Sequence, residues 1–280
     1  MKKAKKIKEL ELSGAKLPRR VVERQIIKEI IPWLKRDEII IITGPRQTGK
    51  SVLLYQLIYG HLLPKTNNIY YFNLDLPGHL RFFSDADRLI KLVQNNQGRS
   101  FVFIDEIQRL KEPGLFLKGI YDLHLPVKII VSGSSELDIK SHVHEALTGR
   151  KAVFCLNPFN LRELSAALFA EKDYTSIVRD KNKFNKVLGH YLIFGGYPAV
   201  ALAKGDKLKL DLLKEIFMSY YGVCYEPHRA LYFHSAGSRA ALSRLDSNAH
   251  NALDFGTFVY SDFRRDCGAE NRRDSRNFLH

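Results

Sequence analysis

Cysteine is scarce in this chain of 280 residues. Cys155, Cys224 and Cys267 are odd in number and show no C-x-x-C spacing, which argues against a disulfide framework or a zinc module and fits a reducing compartment. Long apolar runs are lacking too. No stretch of about 18 uninterrupted apolar residues exists to span a bilayer, and the opening MKKAKKIKELELSG has no apolar core of the kind a signal peptide needs. The expectation is a cytoplasmic protein with no membrane partner. What the chain does have is 45% hydrophobic and 26% charged residues, enough to bury a core and to exclude disorder as a whole-chain answer. Its formal charge of +14 suggests nucleic acid or another polyanion as a partner class.

The charge is unevenly placed. Residues 1–36 carry +8, residues 37–220 carry +5 and residues 221–280 carry +1. Lys2, Lys3, Lys5, Lys6 and Lys8 read as a basic leader over 1–18 that is the candidate contact for nucleic acid. Val22, Ile26, Ile30 and Trp33 fall at helical spacing, with Pro32 expected to break or restart the helix. A second discontinuity lies near Tyr221. All 24 Lys and all 21 Ile precede it, whereas the last 60 residues have neither and carry eight Arg. At the earlier frequencies such a segment should hold about six of each. Residues 221–280 also lack sustained periodicity, so they read as a disordered tail or as the product of a shifted reading frame.

Residues 39–43, IIIIT, form a β-branched apolar run of the kind found in buried parallel strands. Directly after it comes Gly44-Pro45-Arg46-Gln47-Thr48-Gly49-Lys50-Ser51, and then the helix-like SVLLYQLIYG that opens with Ser51 and Val52. Strand, G-x-x-x-x-G-K-S and helix in that order predict a phosphate-binding loop. Gly44 and Gly49 let the backbone of the loop 44–52 wrap so that successive amides point inward at phosphate oxygens, and the helix N-terminus adds its positive dipole end. Lys50 is placed to reach the β- and γ-phosphates of ATP, and the Ser51 hydroxyl to ligate Mg2+.

Further along, Phe101-Val102-Phe103-Ile104 is closed by Asp105-Glu106. A buried strand ending in Asp puts a carboxylate where it can hold the magnesium or its water, so Asp105 is the second metal candidate. In P-loop ATPases with an extra strand between these two motifs the next residue is a Glu that polarises the attacking water, which makes Glu106 the candidate general base. The run Val127 to Val131 ends in Ser132, a candidate sensor of the γ-phosphate or catalytic water, with a turn serine as the alternative. With Ile69–Asn73 and Ala152–Leu156 the count reaches five strands joined by helical links. The expected fold is α/β, a P-loop NTPase with a doubly wound, mainly parallel five-stranded sheet, followed by a partial helical segment. The expected divisions are 19–165 for the ATPase domain and 166–220 for the start of a helical domain.

In these residues the chain resembles prokaryotic AAA+-like P-loop ATPases, related to origin-recognition ATPases, that carry an uncharacterised helical C-terminal domain. The resemblance rests on GPRQTGKS, YFNLD with Asp75, FIDEIQ, VSGSS, LTGR at Leu147 to Arg150, NPFNLREL from Asn157 and FGGYPAV from Phe194, over residues 20–220. It implies ATP binding and hydrolysis by Lys50, Ser51, Asp105 and Glu106. It also implies Arg150 as a phosphate sensor or as a finger between subunits of a homo-oligomer. Members of the group continue through a longer helical region, so the chain reads as truncated or altered after about residue 220. The apolar face of 185–220 is then expected to be partly uncovered.

GTPases are disfavoured because no N-K-x-D follows the loop, and ABC ATPases because no LSGGQ lies between Ser51 and Asp105. Small-molecule kinases rarely place Asp-Glu at the end of the third strand. The leading expectation is an ATPase that drives a conformational change on a macromolecular partner, DNA among the candidates. A nucleotide-dependent protein-binding switch with little turnover and a truncated product without function are the alternatives.

Overall fold

The computed structural model describes residues 17, 18, 20–83, 85–134, 147–171 and 173–221. Residues 1–16 of the basic leader, the segment 135–146 and the tail from residue 222 lie outside the described residues. The described chain opens with a short helix α1 (Ile27–Ile30) that tightens into a 3-10 turn (Ile31–Lys35). Pro32 is in the first turn of that 3-10 segment, where its missing N–H stops the i to i−4 ladder that runs through Ile30 and Ile31.

Next come β1 (Ile39–Thr43), α2 (Lys50–Leu57) with a π-helical continuation (Ile58–Leu62), and β2 (Ile69–Asn73). They are followed by α3 (Pro77–Phe82), α4 (Ala86–Gln94), β3 (Ser100–Asp105), α5 (Pro113–Asp122) and β4 (Val127–Ser132). The last strand is β5 (Lys151–Cys155), after which the described chain is helical: α6 (Leu161–Phe169), α7 (Tyr174–Arg179), α8 (Lys181–Phe194), α9 (Pro198–Leu202) and α10 (Asp206–Tyr221).

The five strands form one parallel sheet in the order β2-β3-β4-β1-β5. The expected doubly wound sheet is therefore present, and β4 is the extra strand between the loop strand β1 and the carboxylate strand β3. Every residue of β1 is buried, because helices cover both faces. The period-two alternation of strand side chains separates two cores. Ile39, Ile41, Tyr70, Phe72, Val102, Ile104, Ile129 and Val131 face α4 and α5 through Leu89, Val93, Leu117 and Ile120. Ile40, Ile42, Tyr71, Phe103 and Ile130 face the other way, onto Ile27 and Ile30 of α1 and Leu53, Leu54 and Leu57 of α2.

A third core joins the N-terminal segment to the later helices through Val22, Phe159, Leu164, Ala167, Ile177, Val187 and Ala201. Helix α6 starts at a capping box, in which the Asn160 side chain accepts from the Glu163 N–H and the Glu163 carboxylate accepts from the Asn160 N–H. It runs across position 165, so one continuous helix spans the division expected between ATPase and helical parts. The described residues up to Ile216 belong to one compact unit. On the expected uncovered face of 185–220, Ile193 and Leu208 are 59% and 50% exposed, whereas Phe194, Val200 and Ile216 are buried together. Among the described residues no helix is long and apolar enough to cross a membrane.

Candidate nucleotide site

In a parallel sheet all strands end on one edge, and ligands bind outside those ends. Here β1 delivers the loop 44–49, β3 delivers Asp105 and β4 delivers Ser132 to that edge. The loop backbone takes three left-handed residues, Gly44 at φ 147°, Gln47 at φ 61° and Gly49 at φ 90°. Gly44 has a steric reason as well, since a Cβ there would lie 2.3 Å from the Leu156 carbonyl oxygen. Thr48 is fully buried and its hydroxyl donates to the Pro45 carbonyl at 2.9 Å, which closes the loop on itself.

Helix α2 begins at Gly49 without a side-chain cap. The first-turn amides of Lys50, Ser51 and Val52 therefore have no intrahelical acceptor and offer an anionic ligand both donors and dipole. Lys50 is buried, and its Nζ donates to the Gly44 and Pro45 carbonyls at 3.0 and 2.9 Å. Burial pulls its pKa below the ordinary lysine value, while Glu106 and Asp105 pull the other way. An ammonium ion held by two carbonyls, with two carboxylates nearby, is a donor arranged for phosphate oxygens. The residues present thus fit a nucleoside triphosphate. Arg46 and Gln47 are exposed on the loop's outer side, and Pro45 is half-buried.

Asp105 is 1% exposed, and both of its oxygens are engaged. Oδ2 accepts from the Tyr71 hydroxyl at 2.9 Å and Oδ1 accepts from the Ser132 hydroxyl. The Tyr71 oxygen lies 3.0 Å from that of Tyr55 on α2, so a buried hydroxyl chain links the helix behind the loop to the carboxylate. Burial, and secondly the Asp105 charge, hold the Tyr71 hydroxyl far above the usual tyrosine range, so it stays a donor. A carboxylate has about four acceptor positions, and two remain for Mg2+ or its water. Ser51, at the first turn of α2, is the other candidate ligand.

Glu106 occupies the left-handed region at φ 58°, ψ 47°, a conformation that disfavours any residue with a Cβ and that recurs at functional sites. Its carboxylate accepts from the Gln108 side-chain amide, whose own Oε1 is buried without a partner. Asp75, the acid of YFNLD, is instead half-exposed and pairs with Arg109 at 2.7 Å.

Arg150 is not brought to this edge. Its carbonyl accepts from the Ile39 N–H at the start of β1, and its guanidinium pairs with Asp122 at 2.9 Å beside the Tyr121 ring. Within one chain it therefore stands at the end of β1 opposite the phosphate loop, paired with Asp122 and apart from Lys50, Asp105 and Ser132. Three residues that the sequence did not single out belong to the site's support: Tyr71, Tyr55 and Gln108.

Comparison with known proteins finds a family match over the sheet. Residues 36–165 match the family model described as an AAA domain. An uncharacterised protein of Methanocaldococcus jannaschii is 27% identical over 199 residues, 70% of this chain and 43% of that protein. An uncharacterised protein of Haemophilus influenzae is 25% identical over 201 residues, 69% of this chain and 47% of that one. The chain thus spans less than half the length of these relatives. Among solved structures, the Walker-type ATPase PABY2304 of Pyrococcus abyssi is 17% identical, with a TM-score of 0.42 over 71% of this chain and 74% of that one. The signal-transduction ATPase PH0952 of Pyrococcus horikoshii is 14% identical, with a TM-score of 0.43 over 73% and 34%. The stretch that matches the AAA-domain model, residues 36–165, thus holds all five strands of the parallel sheet and the G-x-x-x-x-G-K-S loop at its carboxyl edge.

Proposed function

We propose that the chain binds ATP with Mg2+ at the loop 44–52 and hydrolyses it to drive a conformational change on a macromolecular partner. The convergence of Lys50, Asp105 and Ser132 at one sheet edge carries the reading. Lys50 exchanges its hold on the Gly44 and Pro45 carbonyls for phosphate oxygens, and the α2 amides take the rest of the charge. Ser51 and Asp105 hold the magnesium, which when bound neutralises charge on the phosphates. Glu106 orients the attacking water and accepts its proton. Ser132, already bonded to Asp105, positions that carboxylate and reads the γ-phosphate.

The engagement of Glu106 by Gln108 favours a second reading. A base held by a neighbouring amide must be released before it accepts a proton, which suits a switch that turns over slowly until a partner acts. Arg150, at the end of β1 opposite the loop within its own chain, is suited to act on a neighbouring copy in a homo-oligomer. Nucleic acid is the partner class that the basic stretch and the likeness to origin-recognition ATPases support, in a cytoplasmic setting.

Titration of the unaltered chain and of Lys50→Ala with MgATP tests the site. The variant should bind roughly a hundredfold more weakly, and equal affinity would remove Lys50 from the phosphates. Affinity for duplex DNA should fall steeply with added salt, and less steeply after deletion of residues 1–18. Binding that ignores salt would remove nucleic acid as the partner.

A further inference from the structure

One basic side chain of the N-terminal stretch does not face solvent. Arg24 is 5% exposed, and each nitrogen of its guanidinium donates to a different segment. Nη1 bonds the Thr48 carbonyl of the phosphate loop at 2.8 Å, Nη2 the Asn157 carbonyl after β5 at 2.5 Å, and Nε the Glu163 carboxylate of α6 at 3.1 Å. The same carboxylate accepts from the Gln25 N–H at 2.8 Å. The guanidinium lies 4.9 Å from the centre of the Phe159 ring. Gln56 of α2 fixes the segment itself, accepting from the Arg24 N–H and donating to the Val22 carbonyl.

The clasp continues on the far side of the loop. The Phe159 N–H donates to the Gly196 carbonyl at 2.7 Å, and a Cβ on Gly196 would stand 2.1 Å from the Phe159 carbonyl oxygen. A Cβ on Gly49 would have Arg24 Nη1 and Pro198 Cγ as its nearest neighbours, both at 3.9 Å. The segments NPFNLREL and FGGYPAV thus meet at the phosphate loop through Arg24.

A trans peptide is planar, with its C=O and the following N–H pointing in opposite directions. Holding the Thr48 carbonyl from outside therefore fixes the direction of the Gly49 N–H, which points away from Arg24. We infer that Arg24 is a positioning residue: it aims the Gly49 amide into the phosphate loop and couples the loop's conformation to α6 through Glu163. This deepens the ATPase reading and rests on it for the ligand.

Lysine keeps the charge at position 24 but has no planar fork to reach three partners. In Arg24→Lys, backbone order parameters for residues 44–50, measured by nitrogen-15 relaxation without nucleotide, should fall from the rigid range near about 0.85 toward about 0.6. Affinity for MgATP should fall roughly ten- to a hundredfold. The paired variant Arg24→Met with Glu163→Gln removes both charges together, which buried pairs tolerate. It should melt within a few degrees of the unaltered chain while showing the same loop mobility and weak binding. Loop order unchanged in both variants overturns the inference, as does a loss confined to the melting midpoint. Failure of the unaltered chain to bind MgATP contradicts the ATPase reading instead, and the loop measurement, which needs no nucleotide, still decides the role of Arg24.

Discussion

The Tyr71 hydroxyl donates to Asp105 Oδ2 at 2.9 Å, from a strand neighbouring the one that carries the carboxylate. With Ser132 on the other oxygen, the hydrogen-bond geometry fixes how Asp105 presents its remaining lone pairs. Tyr71→Phe removes the donor, frees Asp105 to rotate and leaves the Tyr55 hydroxyl without this partner. The variant should lose about 1–2 kcal/mol of stability in urea unfolding. It should also need several-fold more Mg2+ for half-maximal turnover. An unchanged Mg2+ requirement would reduce Tyr71 to a packing residue.

Two glycines distinguish steric need from backbone need. Gly196→Ala drives a methyl into the Phe159 carbonyl, a backbone atom that cannot swing aside. Gly205 is left-handed at φ 85° with open space around its Cβ position. Alanine at 205 should cost about 1–2 kcal/mol from the backbone alone. At 196 it should cost about 3 kcal/mol or more, with weakened nucleotide binding as the Phe159 and Arg24 contacts shift. Thermal melts of the two variants side by side make the comparison, and equal losses would contradict it.

Lys128 gives the fold a specific pH dependence. It is fully buried at the sheet edge opposite the phosphate loop and donates to the Arg36 and Glu38 carbonyls. Burial, helped by the Arg99 charge, pushes its pKa down to about 8 despite the opposing pull of Glu38 and Asp37. Between about pH 8 and the unfolded value of 10.5 the unfolded chain holds the extra proton, so stability rises with pH across that window. The group contributes about 3 kcal/mol across it. Neutral lysine keeps two N–H donors for its two carbonyls, so the bonds survive deprotonation. Lys128→Met should lack this rise when urea unfolding of both chains is followed from pH 7.5 to 10.5, and parallel curves would contradict the assignment.

Much of this architecture was legible in the chain. IIIIT followed by two glycines at the loop spacing, and FVFIDE, are local signals whose chemistry needs those residues in that order. Arg150 could have been placed as well. A residue just before a parallel strand stands at the edge opposite the phosphate loop, so LTGR ahead of β5 already placed Arg150 at that edge. Tyr71 and Arg24 were harder to read. A tyrosine in an apolar strand is a core residue until the neighbouring strand reveals a carboxylate opposite its hydroxyl. Arg24 sits in a stretch whose charge suggests a solvated basic arm, and only the fold brings Glu163, 139 residues away, to neutralise it. Any polyanion contact in that stretch therefore excludes Arg24.

The most direct test of the central claim is phosphate release by Glu106→Gln, with MgATP binding measured on the same sample. The account predicts affinity within a few-fold of the unaltered chain and turnover lowered by about a hundredfold or more. Turnover equal to that of the unaltered chain would contradict Glu106 as the base and, with it, hydrolysis at this sheet edge.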